Sequence, residues 1–167
     1  SGKNYHGTIS GDIGYDKGPS GQAMFFNGTN AYVTLPIGPL IATLADTTIA
    51  TNVYFANTGG AWQRIFDFGS STGVYMFLTP RQGTTGAMRF ALRTAAVNEQ
   101  LVDVPATLPS GWHHVAIAID SKTMRLTLYL DGIQIGAAAT TLLPKDMGNT
   151  TQNWLGRSQW AADAYFT

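Results

Sequence analysis

The chain has 167 residues, of which 44% are hydrophobic and only 12% charged, so it can bury a real core and is not a disordered tract. Its ten basic and ten acidic residues cancel without forming runs, which excludes the basic stripe that displaces counterions from a nucleic acid. No apolar stretch reaches the ~20 residues needed for membrane insertion as a helix. Cysteine is absent, which removes disulfides, thiolate nucleophiles and cysteine-bound zinc.

Along the chain, almost every segment alternates with period 2 or is a short apolar run bounded by Gly, Pro, Asn or Asp, the signature of strands and turns. Strands are expected at 22–26, 31–35, 47–55, 64–68, 74–78, 88–93, 100–104, 113–119, 125–130 and 133–137. Turn residues separate them: Asn27-Gly28, Thr58-Gly59-Gly60, 70–73, 82–86 and Asp131-Gly132. Asp-Gly is the strongest hairpin signal of these, because both residues accept the positive φ angles of a tight primed turn. Residues 39–44 can make one helical turn, and no longer amphipathic helix is legible. The expected fold is all-β, a sandwich or a barrel. With no linker or internal repeat, residues 1–167 form a single domain.

Alternation also assigns faces. His113, Val115, Ile117 and Ile119 share one side of their strand, as do Leu126, Leu128 and Leu130, and these are the expected core stripes, with His113 a buried residue holding a hydrogen-bond partner. The opposite sides collect Asn52, Tyr54, His114, Thr127 and Tyr129 around small alanines. If those strands are neighbours, they form a shallow polar and aromatic surface.

Four stretches resemble a known family. "FFNGTNAYVTLP" (25–36), "WQRIFDFGSSTGVYMFLTP" (62–80), "LPSGWHHVAIAIDSKTMRLTLYLDGIQIG" (108–136) and "NWLGRSQWAADAYF" (153–166) are similar to the laminin-G-like, concanavalin A-type lectin/glucanase domains that accompany bacterial glycan-degrading enzymes. The Trp-His-His-Val-Ala strand followed by a Tyr-x-Asp-Gly hairpin is the most specific of them. The resemblance implies a two-sheet antiparallel β-sandwich (jelly roll) and selects it over a barrel. It further implies that the family's first and last strands lie outside this sequence, which would make the chain a fragment of a larger protein with neighbouring catalytic or interaction domains. One position departs from the family: Asn52 stands where a tryptophan is usual.

Catalysis is not expected. Glycoside hydrolysis uses two carboxylates about 5 to 10 Å apart, and the chain has a single glutamate, Glu99, among its ten acids. Glu99 and Asp103 share a face but sit roughly 13 Å apart along a strand, as a solvated edge pair. The one Gly-x-Ser-x-Gly string, Gly69 to Gly73, falls in a turn between two expected strands rather than at the strand-to-helix turn of a nucleophile elbow, and there is no His-Glu-x-x-His zinc motif. The resemblance implies instead a non-catalytic module that binds a plant or microbial polysaccharide or oligosaccharide, in a secreted or cell-surface bacterial protein. An alternative is an interaction or structural module without a sugar ligand.

Sugars present apolar C–H faces to aromatic rings and hydroxyls to amides, carboxylates and guanidinium groups. On that chemistry the candidate binding residues are Trp62, Arg64, Asp67, Tyr75, Arg157, Gln159 and Trp160, in or beside Gly-rich connections, with Asn52, Tyr54 and His114 on the polar strand faces. Trp62 and Trp160 are expected to be exposed, and Trp154 to pack inside. The resemblance also implies a structural calcium ion near the first loop, with Asn4 and Asn27 as its candidate ligands.

Overall fold

The computed structural model describes residues 4–167. In chain order the strands are β1 (Thr8–Ser10), β2 (Gly14–Lys17), β3 (Gln22–Phe25), β4 (Tyr32–Thr34), β5 (Thr47–Phe55), β6 (Phe66–Ser71), β7 (Val74–Thr79), β8 (Met88–Arg93), β9 (Gln100–Val104), β10 (Gly111–Asp120), β11 (Arg125–Leu130), β12 (Ile133–Ala139) and β13 (Gln152–Leu155). A single helical turn, α1 (Gly38–Ile41), precedes β5, and a 3₁₀ turn (Pro144–Met147) precedes β13.

All strand pairs are antiparallel and form two main sheets, one of seven strands in the order β1-β4-β13-β6-β7-β8-β9 and one of four in the order β12-β11-β10-β5. The inner faces meet in one core, where Phe66, Phe68, Met76, Leu78, Phe90 and Leu92 pack against Val53, Phe55, Val115, Ile117, Leu126 and Leu128. The fold is thus the expected all-β sandwich.

The period-2 reading locates the strands because a half-buried sheet needs it: β5, β8, β9 and β11 have the expected limits. Asp131 (φ 51°) and Gly132 (φ 80°) both take positive φ, as a primed turn between β11 and β12 requires. At the closed edge of the sandwich, Gly136 on β12 lies so near β9 that a Cβ would come 2.9 Å from Val102 Cγ1. Strands β1 and β2 escaped the pattern because their residues are exposed or only partly buried and carry no apolar alternation.

The other edge differs. β5 pairs only with β10, and the hairpin of β2 and β3 stands beside it as a separate two-stranded sheet. Between them runs a cavity of about 900 Å³, reaching from Met24, Phe25 and Asn52 down to Phe66, Phe68, Leu155 and Phe166.

Candidate functional site

The outward face of the seven-stranded sheet carries an aromatic and ionic layer. On β6 and β7, Asp67 stands opposite Phe77, and on β7 and β8 Tyr75 stands opposite Arg93 and Phe77 opposite Ala91. Tyr75, Phe77 and Ala91 form a second buried apolar cluster, separate from the core, with Trp62, Leu101 and Trp160 packed on it. Trp160 meets Tyr75 edge-on at 4.9 Å and Phe77 at 6.1 Å, and Trp62 meets Phe77 edge-on at 6.5 Å. Such edge-to-face contacts suit the ring quadrupole.

Arg64 organises this layer from beneath. It is 1% exposed, and its guanidinium lies 4.1 Å over Phe77 and 5.5 Å from both Trp62 and Trp160. Its donors go to Asp67 Oδ2 (3.2 Å), the Trp62 carbonyl (2.6 Å) and Asp163 Oδ2 (2.9 Å). One arginine therefore ties the loop bearing Trp62 to the loop bearing Trp160, where Asp163 also accepts from Ser158. Asp67 accepts in addition from the Gln159 backbone N–H at 3.1 Å. Burial pushes the Asp67 carboxyl up to about 7, against the opposing pull of Arg64, and burial also lowers the Arg64 guanidinium from its ordinary value.

A second ionic group lies along β8 and β9. Arg89 grips Asp103 with two bonds of 2.7 Å and reaches Glu99 at 3.4 Å. Tyr75 donates its hydroxyl to Glu99 across 2.6 Å; burial and that bond raise the phenol far above its ordinary value, so it stays protonated. Glu99 and Asp103 are therefore an edge pair, as expected, but one bridged by an arginine. Three buried polar atoms without a hydrogen-bond partner, Asp67 Oδ1, Arg93 Nε and Gln159 Oε1, belong to residues of this layer. An incompletely satisfied polar layer is costly to keep for stability alone.

A third group occupies β4 and β13. Trp154, opposite both Thr34 and Asp67, points outward rather than into the core, which corrects the expectation from sequence. The strand's inward positions are taken by Asn153 and Leu155, whose neighbours across the ladder, Phe68 and Phe66, belong to the core. Arg157 covers the rings of Trp154 (4.4 Å) and Tyr32 (4.7 Å).

Of the residues expected to bind ligand, Trp62, Arg64, Asp67, Tyr75, Gln159 and Trp160 thus converge, with Arg157 beside them on the same face. Arg64, Asp67 and Tyr75 are at most 2% exposed, so they position others rather than meet a ligand. Trp62 and Trp160 are half-buried, less open than expected. Asn52, Tyr54 and His114 lie on the outer face of the four-stranded sheet, with Asn52 directly opposite His114 and Tyr54 opposite Trp112. They do adjoin, as alternation anticipated if the strands were neighbours, but they are on the other side of the molecule. His113 is only partly buried and bonds Asp131 through Nδ1 at 2.8 Å.

The expected calcium ligands are Asn27 and Asn4. Asn27 Oδ1 already accepts from the backbone N–H groups of Thr29, Asn30 and Ala31, which makes it a turn cap. Asn4 sits in the first loop at φ 59°. Among the described residues no three His, Cys, Asp or Glu side chains cluster as metal ligands. Sequence reasoning missed Tyr32, Phe77, Arg89 and Trp154 in the layer; a strand with both faces buried, such as β7, has no polar alternation to show which side is which.

The comparisons agree with this architecture. The domain 4 of an extracellular arabinanase from Geobacillus stearothermophilus, in complex with arabinotriose, superposes with a TM-score of 0.79 at 20% identity, covering 99% of this chain and 81% of that one. The CBM40 of a Ruminococcus gnavus sialidase bound to α2,3-sialyllactose gives 0.61 at 18% identity over 76% and 71%. The carbohydrate-binding module CBM66 from Bacillus subtilis gives 0.52 at 13% identity over 98% and 94%. No curated protein sequence matches the chain. A family model described as the concanavalin A-like lectin/glucanases superfamily, of laminin-G type, matches residues 27–167. With the family model spanning most of the sequence and the sandwich topology in place, the chain belongs to the concanavalin A-like lectin/glucanase superfamily.

Proposed function

We propose that the chain is a non-catalytic carbohydrate-binding module of a secreted or cell-surface bacterial glycan-degrading protein, and that it takes an oligosaccharide on the outward face of the seven-stranded sheet. One observation carries this reading: Trp62 and Trp160, both partly exposed, each lie 5.5 Å from the Arg64 guanidinium and pack on an aromatic floor of Tyr75 and Phe77. Partly exposed rings give the apolar face of a sugar something to stack on, and Gln159, Arg89, Glu99 and Asp103 supply hydroxyl partners around them. The fold neighbours whose descriptions name arabinotriose, sialyllactose or carbohydrate binding support the class of ligand.

The absence of catalysis is part of the proposal. Asp67 and Asp163 are both committed to Arg64, and Glu99 and Asp103 to Arg89. Asp67 is closed off from solvent although burial pushes its carboxyl up to about 7, and the other three already have oxygens taken by an arginine. Affinity electrophoresis through gels containing arabinan, xylan, galactan or glucan tests the proposal. Retardation in at least one polysaccharide, lost in Trp160→Ala, is expected; free migration in all of them would reject it. Calcium is a separate element. Its uptake would require the Asn27 turn to release backbone bonds, and a calcium-dependent rise in Tm would reveal it.

A second reading, an interaction module, is favoured by the unpaired edge of β5 beside the cavity that opens to the core. Such an edge can accept an extended strand from a partner. Protection of the β5 amides from hydrogen exchange by an added strand peptide, with no sugar bound by the wild type, would favour it.

A further inference from the structure

The charged groups on the outward face are not alike. Arg64 is neutralised by Asp67 and Asp163, and Arg89 by Glu99 and Asp103. Arg81 spends its guanidinium on Asn57 Oδ1 and the Gly59 carbonyl, and Arg93, also without an ion pair among the described residues, stands opposite Tyr75 with its Nε buried. Arg157 makes no ion pair and no side-chain hydrogen bond among the described residues, although it is only partly exposed. What holds it is aromatic: Trp154 at 4.4 Å and Tyr32 at 4.7 Å, with Tyr165 packed on Tyr32 at 6.2 Å. Gly156, in a left-handed conformation with φ 81°, turns the chain out of β13 immediately before it. The carboxylate nearest in sequence, Asp163, already serves Arg64 and Ser158.

A guanidinium fixed on two rings keeps its N–H fork in one orientation at little entropic cost. That fork matches an oxyanion with two parallel hydrogen bonds. Its position continues the candidate site: Trp154 is the ladder partner of Asp67, so the Arg157 group lies one strand from the Arg64 layer. From β4 to β7 the face spans about 14 Å at the usual strand spacing, within reach of one extended oligosaccharide.

We infer that Arg157, seated on Tyr32 and Trp154, is a subsite for an anionic substituent of the bound glycan, a uronate carboxylate or a sulfate ester. The inference rests on the carbohydrate-binding reading and narrows its ligand class. Calorimetric titration of the wild type with galactotriose, trigalacturonic acid and a sulfated galactan trisaccharide tests it. At low salt, one charged sugar binds about tenfold tighter than the neutral one, and the charged sugar that gains identifies carboxylate or sulfate. Arg157→Gln removes the gain while galactotriose binding stays within about twofold, and Arg157→Lys, which keeps the charge but not the fork, retains part of it. Equal affinity for neutral and charged sugars in the wild type would overturn the inference and leave the proposed function intact. A gain that survives in Arg157→Gln would assign the anion to another cation. Binding of no sugar of any kind would remove the proposed function itself, and this inference with it.

Discussion

Arg64 and Asp67 face each other at 3.2 Å with side chains 2% and 0% exposed, the guanidinium lying over the ring of Phe77. Neither reaches the surface, yet Arg64 bonds the Trp62 carbonyl and the Asp163 carboxylate, so the two surface tryptophans depend on a buried ion pair. Removing one member of such a pair leaves the other charge stranded. Arg64→Leu is expected to destabilise the domain by about 3–5 kcal/mol, seen as a lower urea midpoint. Whatever fraction still folds at low temperature should bind sugar weakly, because both tryptophan loops lose their shared anchor.

The raised carboxyl of Asp67 sets a pH dependence of stability. Its native pKa of about 7 lies above the ordinary 3.8, so the native state holds more proton at this site than the unfolded chain between those values. Its contribution is therefore fully present below about 3.8 and is lost as pH rises through about 7. Tm is expected to fall from pH 5 to pH 7.5, and Asp67→Asn should flatten that slope. Below pH 4 the exposed Asp46, Asp120 and Asp131, each lowered first by a hydrogen bond to its carboxylate, act in the opposite direction.

The two sheet faces are separable by mutation. Trp160→Ala or Trp62→Ala should weaken sugar binding by about 1 to 2 kcal/mol each, roughly 5- to 30-fold in Kd. Tyr54→Ala and Trp112→Ala remove a ring pair 5.6 Å apart on the opposite face and should leave Kd unchanged. Calorimetry on the four variants checks both halves.

Two glycines with nearly the same positive φ should respond differently to alanine. At Gly132 (φ 80°) a Cβ meets nothing within 4 Å, so Gly132→Ala costs only the left-handed backbone strain, about 1 kcal/mol. At Gly156 (φ 81°) a Cβ would fall 2.6 Å from Phe26 Cδ1, adding overpacking to the strain, for about 2–4 kcal/mol in all. Urea unfolding of the two variants gives the comparison directly.

The fold was legible in the sequence wherever polar alternation exists. Along β5, β10 and β11, Val53, Val115, Ile117, Leu126 and Leu128 face the core while Asn52, Tyr54, His114, Thr127 and Tyr129 face out, so that sheet was legible almost to the residue. On β7 the run Val74–Thr79 is buried on both sides, and nothing in its pattern told the core side, Met76 and Leu78, from the second layer, Tyr75 and Phe77. Residue chemistry did single out Trp62, Arg64, Asp67, Gln159 and Trp160 as a set. That Arg64 would lie beneath the tryptophans, and that Trp154 would turn outward to carry Arg157, depended on strand order: β13 lies between β4 and β6, a pairing across more than eighty residues that no local spacing encodes.

The most direct measurement is a heteronuclear NMR titration of the four tryptophan indole N–H signals with an arabinan or galactan oligosaccharide. Trp62, Trp154 and Trp160 report the outward face of the seven-stranded sheet, and Trp112 reports the other sheet. Saturable shifts of Trp62 and Trp160 with Trp112 unmoved are expected. Shifts confined to Trp112, or none with any sugar of the panel, would contradict the placement of a glycan site on this face.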